Sequence, residues 1–427
     1  MLFEQFLYSI STELTPLVYK FLLIILPIAM PFMLFYALWV LRFRWVQMKF
    51  VEAQKPCILE IKLPKEITKS PAAMEIFFSY LQQGGAGNYS EAFLDGKTRP
   101  WFSCELVSTG GEVKFYIWSS QAKFKNIIEA QLYAQYPNIE IFEAEDYTKK
   151  IFYNPEKYST YGTQFVLTKP DPFPIKSYID YGLDADQKDE YKIDPITAVV
   201  EFLGSVKKGE NIWLQILLQK HEKEGVKHGR ILAGKDLKDE TKAEIKKIKE
   251  ATIIEVPGKE NSFRMPNPTK GQQEIISALE RSASKMPFDC MIRGLYVAES
   301  SVFNPINISG LMASFRQYSS MTLNGFKPGY KTDVSDKYKD AVRFFFPFWK
   351  KNMAKKIAKR KKKIFHAYKL RSFFQLPYKN LGGDKPFVLT TEELATIFHF
   401  PGGIVSQTPT LNRVPSKKSE APANLPI

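Results

Sequence analysis

Three groups of residues are of the types that do chemistry. Gly96-Lys97-Thr98 has the ending of a phosphate-binding loop. Such a loop needs an earlier glycine five positions before Gly96 and a helix directly after the threonine. Glu91 occupies the first position and Arg99-Pro100 follows the threonine, so both requirements fail. Gly84-Gly85-Ala86-Gly87 has no following lysine and reads as a flexible connection. Glu143, Glu145 and Asp146 could do acid–base work or hold magnesium, but their place at a strand end reads as a solvated terminus. Cys57, Cys104 and Cys290 form no CxxC pair, and His221, His228, His366 and His399 form no ligand cluster. The expectation is a chain without catalytic residues, metal or cofactor.

The third group is the basic segment. Net charge is +15, and Arg343–Arg371 alone holds twelve Lys or Arg and no Asp or Glu. The rest of the chain is nearly balanced, so one segment makes the protein basic and calls for a polyanion. The candidate nucleic-acid-binding residues are Lys350, Lys351, Lys355, Lys356, Lys359, Arg360, Lys361, Lys362, Lys363, Lys369 and Arg371, within an expected basic helical segment over 340–375. Phe348, Trp349, Ile357, Ile364, Phe365 and Tyr368 interleave with them. Three readings stay open. The lysines hold phosphate backbones while aromatics stack on single-stranded bases. They lie on an anionic lipid leaflet. Or they form a solvated face.

The elements around these residues begin with an uncharged run, Phe21–Leu41, of 21 residues. As a helix it spans about 32 Å, the thickness of a hydrocarbon core. Tyr36, Trp39 and Trp45 suit an interfacial belt. Arg42, Arg44, Lys49 and Lys55 follow it, which predicts a single-pass protein of the cytoplasmic (inner) membrane with its bulk in the cytoplasm. Residues 1–20 are then a short N-terminal segment.

Beyond the anchor the period switches. Cys57, Leu59, Ile61 and Leu63 alternate as in a strand, and Met74, Phe77, Phe78 and Leu81 stripe a helix. Phe102, Cys104 and Leu106, the turn Thr109-Gly110-Gly111-Glu112, then Val113, Phe115 and Ile117 make a hairpin. A helix to Tyr136 and a strand over Ile139–Phe142 close a βαββαβ unit. The same order recurs from Thr163, with Asp194-Pro195 starting a helix and Met321–Phe326 as the last strand. The fold class is therefore α+β: a transmembrane helix, then two tandem ferredoxin-like domains over 56–150 and 160–330. The second carries a charged helical insertion, 221–285, in which Lys235–Glu250 reads as a solvated helix.

Near the end, Thr390-Thr391-Glu392-Glu393 starts a short amphipathic helix within 388–400, with Leu394, Ile397 and Phe398 on one side. Such a helix docks on a neighbour, in its own domain or on another chain. Pro409, Pro415, Pro422 and Pro426 make 401–427 a disordered linker or tail.

Leu389–Pro401, Thr408-Pro409 and the Pro-rich Ala421–Pro426 together resemble the stretch leading into the motor of membrane-bound DNA-translocating ATPases. These are the HerA/FtsK-class coupling ATPases of type IV secretion and conjugation in bacteria. The resemblance is to their membrane-proximal region, without the motor domain. It implies a membrane-anchored, non-enzymatic component of a DNA-translocation apparatus, with a P-loop motor ATPase on a separate chain docked by Leu394, Ile397 and Phe398. It also implies DNA on the basic segment, and leaves a homo-oligomer open. The alternative is a structural membrane scaffold whose basic segment binds anionic lipid and no nucleic acid.

Overall fold

The computed structural model describes residues 2–64, 67, 69–85, 87–88, 90–184, 193–222, 237–251, 268–333 and 347–402. The expected tail over 403–427 lies outside them, as do 223–236 and 252–267 of the insertion. The chain forms two units, Met1–Gln54 with Ala86–Thr98 and Lys55–Gly85 with Arg99–Ile427.

The first unit is built on α1, Leu2–Ala53, which runs through Pro27 and Pro31. Its Ile25–Ala53 stretch is long and apolar enough to cross a membrane, with mean hydropathy 1.8. Leu26, Ile28, Phe32, Leu34, Phe35 and Leu38 are all exposed, so apolar groups point outward all round the helix. A π-helical turn, Glu91–Asp95, packs on α1 through Phe93, whose ring lies 4.4 Å from Trp39 and 5.9 Å from Phe43. Gly96 follows at φ +69°, where a Cβ would come within 2.5 Å of the Val46 carbonyl oxygen. Lys97 pairs with Glu91 at 2.9 Å. Gly96-Lys97 therefore closes a turn against α1.

The second unit is one antiparallel sheet. Its strands are β1 (Cys57–Lys62), β2 (Trp101–Thr109), β3 (Glu112–Ser119), β4 (Glu140–Glu143), β5 (Tyr158–Leu167), β6 (Glu210–Lys220), β7 (Pro287–Glu299), β8 (Phe326–Lys331) and β9 (Phe387–Thr390). The spatial order is β4-β1-β3-β2-β6-β7-β5-β8. The two stretches expected to be separate domains share this sheet, because β2 and β6 pair from Trp101↔Gln219 to Thr109↔Asn211. Gly110 and Gly111, both at positive φ, make the tight β2–β3 turn. β7 is long enough to take two neighbours on one edge. β5 pairs with Ile292–Glu299, and β9 with Pro287–Cys290.

Alternation along the strands gives the sheet two unlike faces. One carries Leu59, Phe102, Cys104, Phe115, Ile117, Leu214 and Ile292, each 2% exposed or less. It is covered by α2 (Ala72–Tyr80), α3 (Lys125–Gln135), α4 (Pro195–Gly204) and α7 (Ile306–Ala313). The Asp194 side chain accepts from the Ile196 amide and Pro195 opens the first turn of α4. The other face carries Ser103, Glu105, Gln164, Gln215 and Arg293, all buried. It is covered by the basic helix α8, Pro347–Lys369. Gly162 on β5 permits the approach, since a Cβ there would stand 2.7 Å from Ile364 Cγ2.

Three expectations change. The last strand is Phe326–Lys331, not Met321–Phe326, because Asn324 ties the preceding loop to the carbonyls of Lys169, Pro170 and Phe173. In the insertion, α5 (Leu237–Glu250) is not solvated all round. It packs on α6 (Lys270–Ser284) and buries Leu237 and Thr241. Most consequential is the short terminal helix α9, Thr391–Ile397, with its capping box between Thr390 and Glu393. Leu394, Ile397 and Phe398 are 0%, 2% and 0% exposed, packed on α2 and on Phe115. They are interior side chains of their own domain and offer no surface to a partner.

Replacing Leu394 by Ala should lower the stability of the detergent-solubilised chain by about 2–5 kcal/mol, read from the denaturant midpoint. A side chain that serves only a partner would leave the midpoint unchanged.

Candidate functional site

The basic helix α8 has no acidic residue over its whole length. At about 100° per residue, Lys355, Lys356, Lys359, Lys362 and Lys363 fall within an arc of roughly 120° over about 12 Å of helix. All five are exposed. Among the described residues no carboxylate pairs with them. Like charges at i, i+4 oppose an isolated helix by a few tenths of a kcal/mol per pair. The sheet must therefore hold this helix in place.

The seat is formed by the C-terminal half. Ile364, Phe365, Ala367 and Tyr368 are each 1% exposed or less. Phe365 and Tyr368 lie beside Trp213, with ring centroids 6.5 and 5.5 Å away. These aromatics face the sheet and cannot stack on nucleic-acid bases. Among the described residues, the exposed face of α8 therefore offers charge and no aromatic platform.

Not every predicted cation belongs to the exposed face. Arg360 is half-buried over the Tyr330 ring at 5.5 Å. Lys361 is half-buried, and burial pulls its pKa down against the opposing charge of Asp333. Lys369 donates to the Ile151 carbonyl at 3.1 Å. His366 is pulled below its usual range, first by burial and then by Lys362 and Lys369, which disfavours its charged form. Lys350 and Lys351 lie in α8, but their side chains are outside the described set.

Arg371 is the clear correction. It is 1% exposed and unavailable to any polyanion. Its Nε and Nη2 donate to Glu105 Oε1 and Oε2 at 2.9 and 3.0 Å. Its Nη1 donates to Asp146 Oδ2 at 2.7 Å. Glu105 also accepts from Ser103, Gln215 and Tyr147. The Tyr147 hydroxyl meets that of Tyr368 at 2.9 Å, and Trp101 Nε1 donates to the Arg371 carbonyl at 3.0 Å. Arg293, fully buried, donates to the carbonyls of Ala367 and Ser372. Burial lowers the Arg293 guanidinium to about 9, which still leaves it charged at neutral pH. Asp146, expected to be a solvated strand end, is thus part of an interior ion network. Burial opposes its ionisation, but Arg371 and Thr148 outweigh burial and hold the carboxyl below its usual range. Glu143 pairs instead with Lys125.

The backbone at Arg371 carries a second constraint. Arg371 N donates to Tyr368 O, and Ser372 N to Ala367 O, the two bonds of a Schellman end to α8. Arg371 sits at φ +49°, in the left-handed position where glycine is usual. The strain is about 1–2 kcal/mol, and the interior ion pairs hold it. No short-range pattern announces this pairing. The available signal is a lone acid, Glu105, on an otherwise buried strand.

A family model described as "Domain of unknown function (DUF8128)" matches residues 59–410. No curated protein matches the chain. Among solved structures, a xylooligosaccharide oxidase from Myceliophthora thermophila C1 in complex with xylobiose is similar at 11% identity and a TM-score of 0.24. That match covers 74% of this chain and 52% of the oxidase, so the chain spans about half the oxidase's length. A score this low supports no statement about fold or activity.

Arg371→Ala and Arg371→Gly should both unfold at lower denaturant than the parent, because each leaves Glu105 buried without its counter-charge, a loss of about 3–5 kcal/mol. Gly should exceed Ala by about 1 kcal/mol through relief of the left-handed strain. Adding Glu105→Gln to either should restore part of the loss. Asp146, depressed in the folded state, contributes stability above its unfolded pKa of about 3.9 and loses it as pH falls through the lower folded value. Asp146→Asn should remove that acid leg.

Proposed function

The chain belongs to the domain-of-unknown-function family DUF8128, and on that premise we propose that it is a membrane-anchored, non-enzymatic component of a DNA-translocation apparatus of the type IV secretion or conjugative kind. α1 is its single-pass anchor in the inner membrane, with the body in the cytoplasm. The exposed lysines of α8 hold the phosphate backbone of DNA delivered to a motor ATPase on a separate chain. The observation that carries this reading is the acid-free lysine face, fixed to the sheet by its own C-terminal half. Arg42, Arg44, Lys49 and Lys55 after the apolar run support the orientation. The apparatus itself is supported by the tail resemblance. Contact with a motor is not assigned to α9, whose apolar side chains are interior.

Within this reading the body is two ferredoxin-like units joined through their second strands. The support is the spatial order within each half, β4-β1-β3-β2 and β8-β5-β7-β6.

Recognition of DNA by these lysines is electrostatic and blind to sequence, since phosphate contacts position a duplex without reading it. A second reading, an anionic lipid surface, is favoured by the membrane-capable helix on the same chain. Five lysines near such a surface gain about 1 kcal/mol each.

In nanodiscs of neutral lipid, the full chain should bind duplex DNA with a log–log salt slope approaching about −4.5, a loss of roughly 500-fold between 50 and 200 mM salt. Changing Lys355, Lys356, Lys359, Lys362 and Lys363 to Ala should flatten the slope without lowering the denaturant midpoint, because the change also removes like-charge repulsion along the helix. An unchanged slope in that variant contradicts the assignment. DNA binding that disappears in anionic discs, with the lysines then shielded from acetylation, selects the lipid reading.

A further inference from the structure

We propose that residues 90–97 form a second membrane contact, a small wedge at the boundary between acyl chains and headgroups. This rests on the reading of α1 as the membrane anchor. The apolar run of α1 ends at Leu41, and Arg42, Arg44 and Lys49 follow. Phe93 packs at a tilt on Trp39 and stacks on Phe43, on either side of that change, and Gly96 lies against the backbone of Val46. The turn is thus held at the level where a spanning helix passes from hydrocarbon to headgroups.

The side chains of the turn fit that level. Leu94, next to the pinned Phe93, is 59% exposed. On α1 at this level, Tyr36, Leu38, Trp39 and Leu41 are likewise exposed, each by 46% or more. Two of the three charged side chains of the turn, Glu91 and Lys97, are arranged to lower the cost of leaving bulk water, while Asp95 is exposed. Glu91 and Lys97 pair at 2.9 Å, and Glu91 also accepts from the Asn88 amide. Trp45 with Lys49 above its ring at 4.2 Å adds an aromatic–cation pair one helical turn further toward the headgroups. Lipid is the occupant that matches, because the exposed Leu94 follows Phe93, which packs on a helix long enough to span a bilayer. The consequence is mechanical: α1 cannot slide along the membrane normal without drawing Leu94 out of the apolar layer.

Cys57, Cys104 and Cys290 are buried, so a single introduced cysteine can be labelled selectively. The full chain carrying Leu94→Cys or, in a separate variant, Met33→Cys would be labelled with an environment-sensitive fluorophore. Each would then be reconstituted in phosphatidylcholine vesicles with nitroxides placed either shallow or deep on the acyl chain. The proposal expects at least twofold quenching at position 94, strongest with the shallow nitroxide, and quenching at position 33 strongest with the deep one. Quenching at position 33 with none at position 94, or with a deep maximum at 94, overturns the wedge and leaves the anchor standing. No quenching at position 33 overturns the anchor and the wedge with it.

Discussion

Arg371 is a charge held inside the protein, and the placement of the basic helix follows from it. Its guanidinium is shared between Glu105 on β2 and Asp146 after β4, while its backbone closes the end of α8. An unpaired charge in that interior would cost several kcal/mol. The helix can therefore end at one place over the sheet and in one orientation. Compared with an apolar core of the same volume, such a network adds little net stability. What it supplies is position. Arg293 reinforces the same point by donating to the carbonyls of Ala367 and Ser372 from the neighbouring part of the sheet.

The two faces of the sheet divide the work. The apolar face makes an ordinary helix-covered core, sealed at its end by β9 and α9. The polar face receives a helix that is a poor candidate for self-sufficiency, because its lysines repel one another along the exposed side. Seating that helix through Ile364, Phe365 and Tyr368 and locking it through Arg371 turns repelling charges into a fixed array. An array of this kind loses little conformational freedom on meeting a polyanion, which favours binding.

Much of the fold is legible in short-range pattern. Alternation marks β1, β2, β3 and β6, and Asp194-Pro195 and Thr390–Glu393 mark where helices begin. The site is legible only in part. A run without acids shows that a cationic face exists, but 3.6-residue spacing cannot tell an aromatic edge that meets bases from one that meets a sheet. Likewise Leu394, Ile397 and Phe398 carry the same spacing whether they cover their own core or another chain. That question is decided by β9 joining β7, a pairing about a hundred residues apart in the chain. Arg371 is the least legible of all. Its partners Glu105 and Asp146 are 266 and 225 residues away, and within its own segment it looks like one more surface cation.

The ion network fixes the C-terminal half of α8 on the sheet. Hydrogen exchange of the amides over 361–369, in the full chain with and without Glu105→Gln, tests it most directly. The account predicts slow exchange in the parent, comparable to β6 and β7, and selective loss of that protection in the variant while the strands remain protected. Fast exchange of 361–369 in the parent, or equal protection in both proteins, would contradict it.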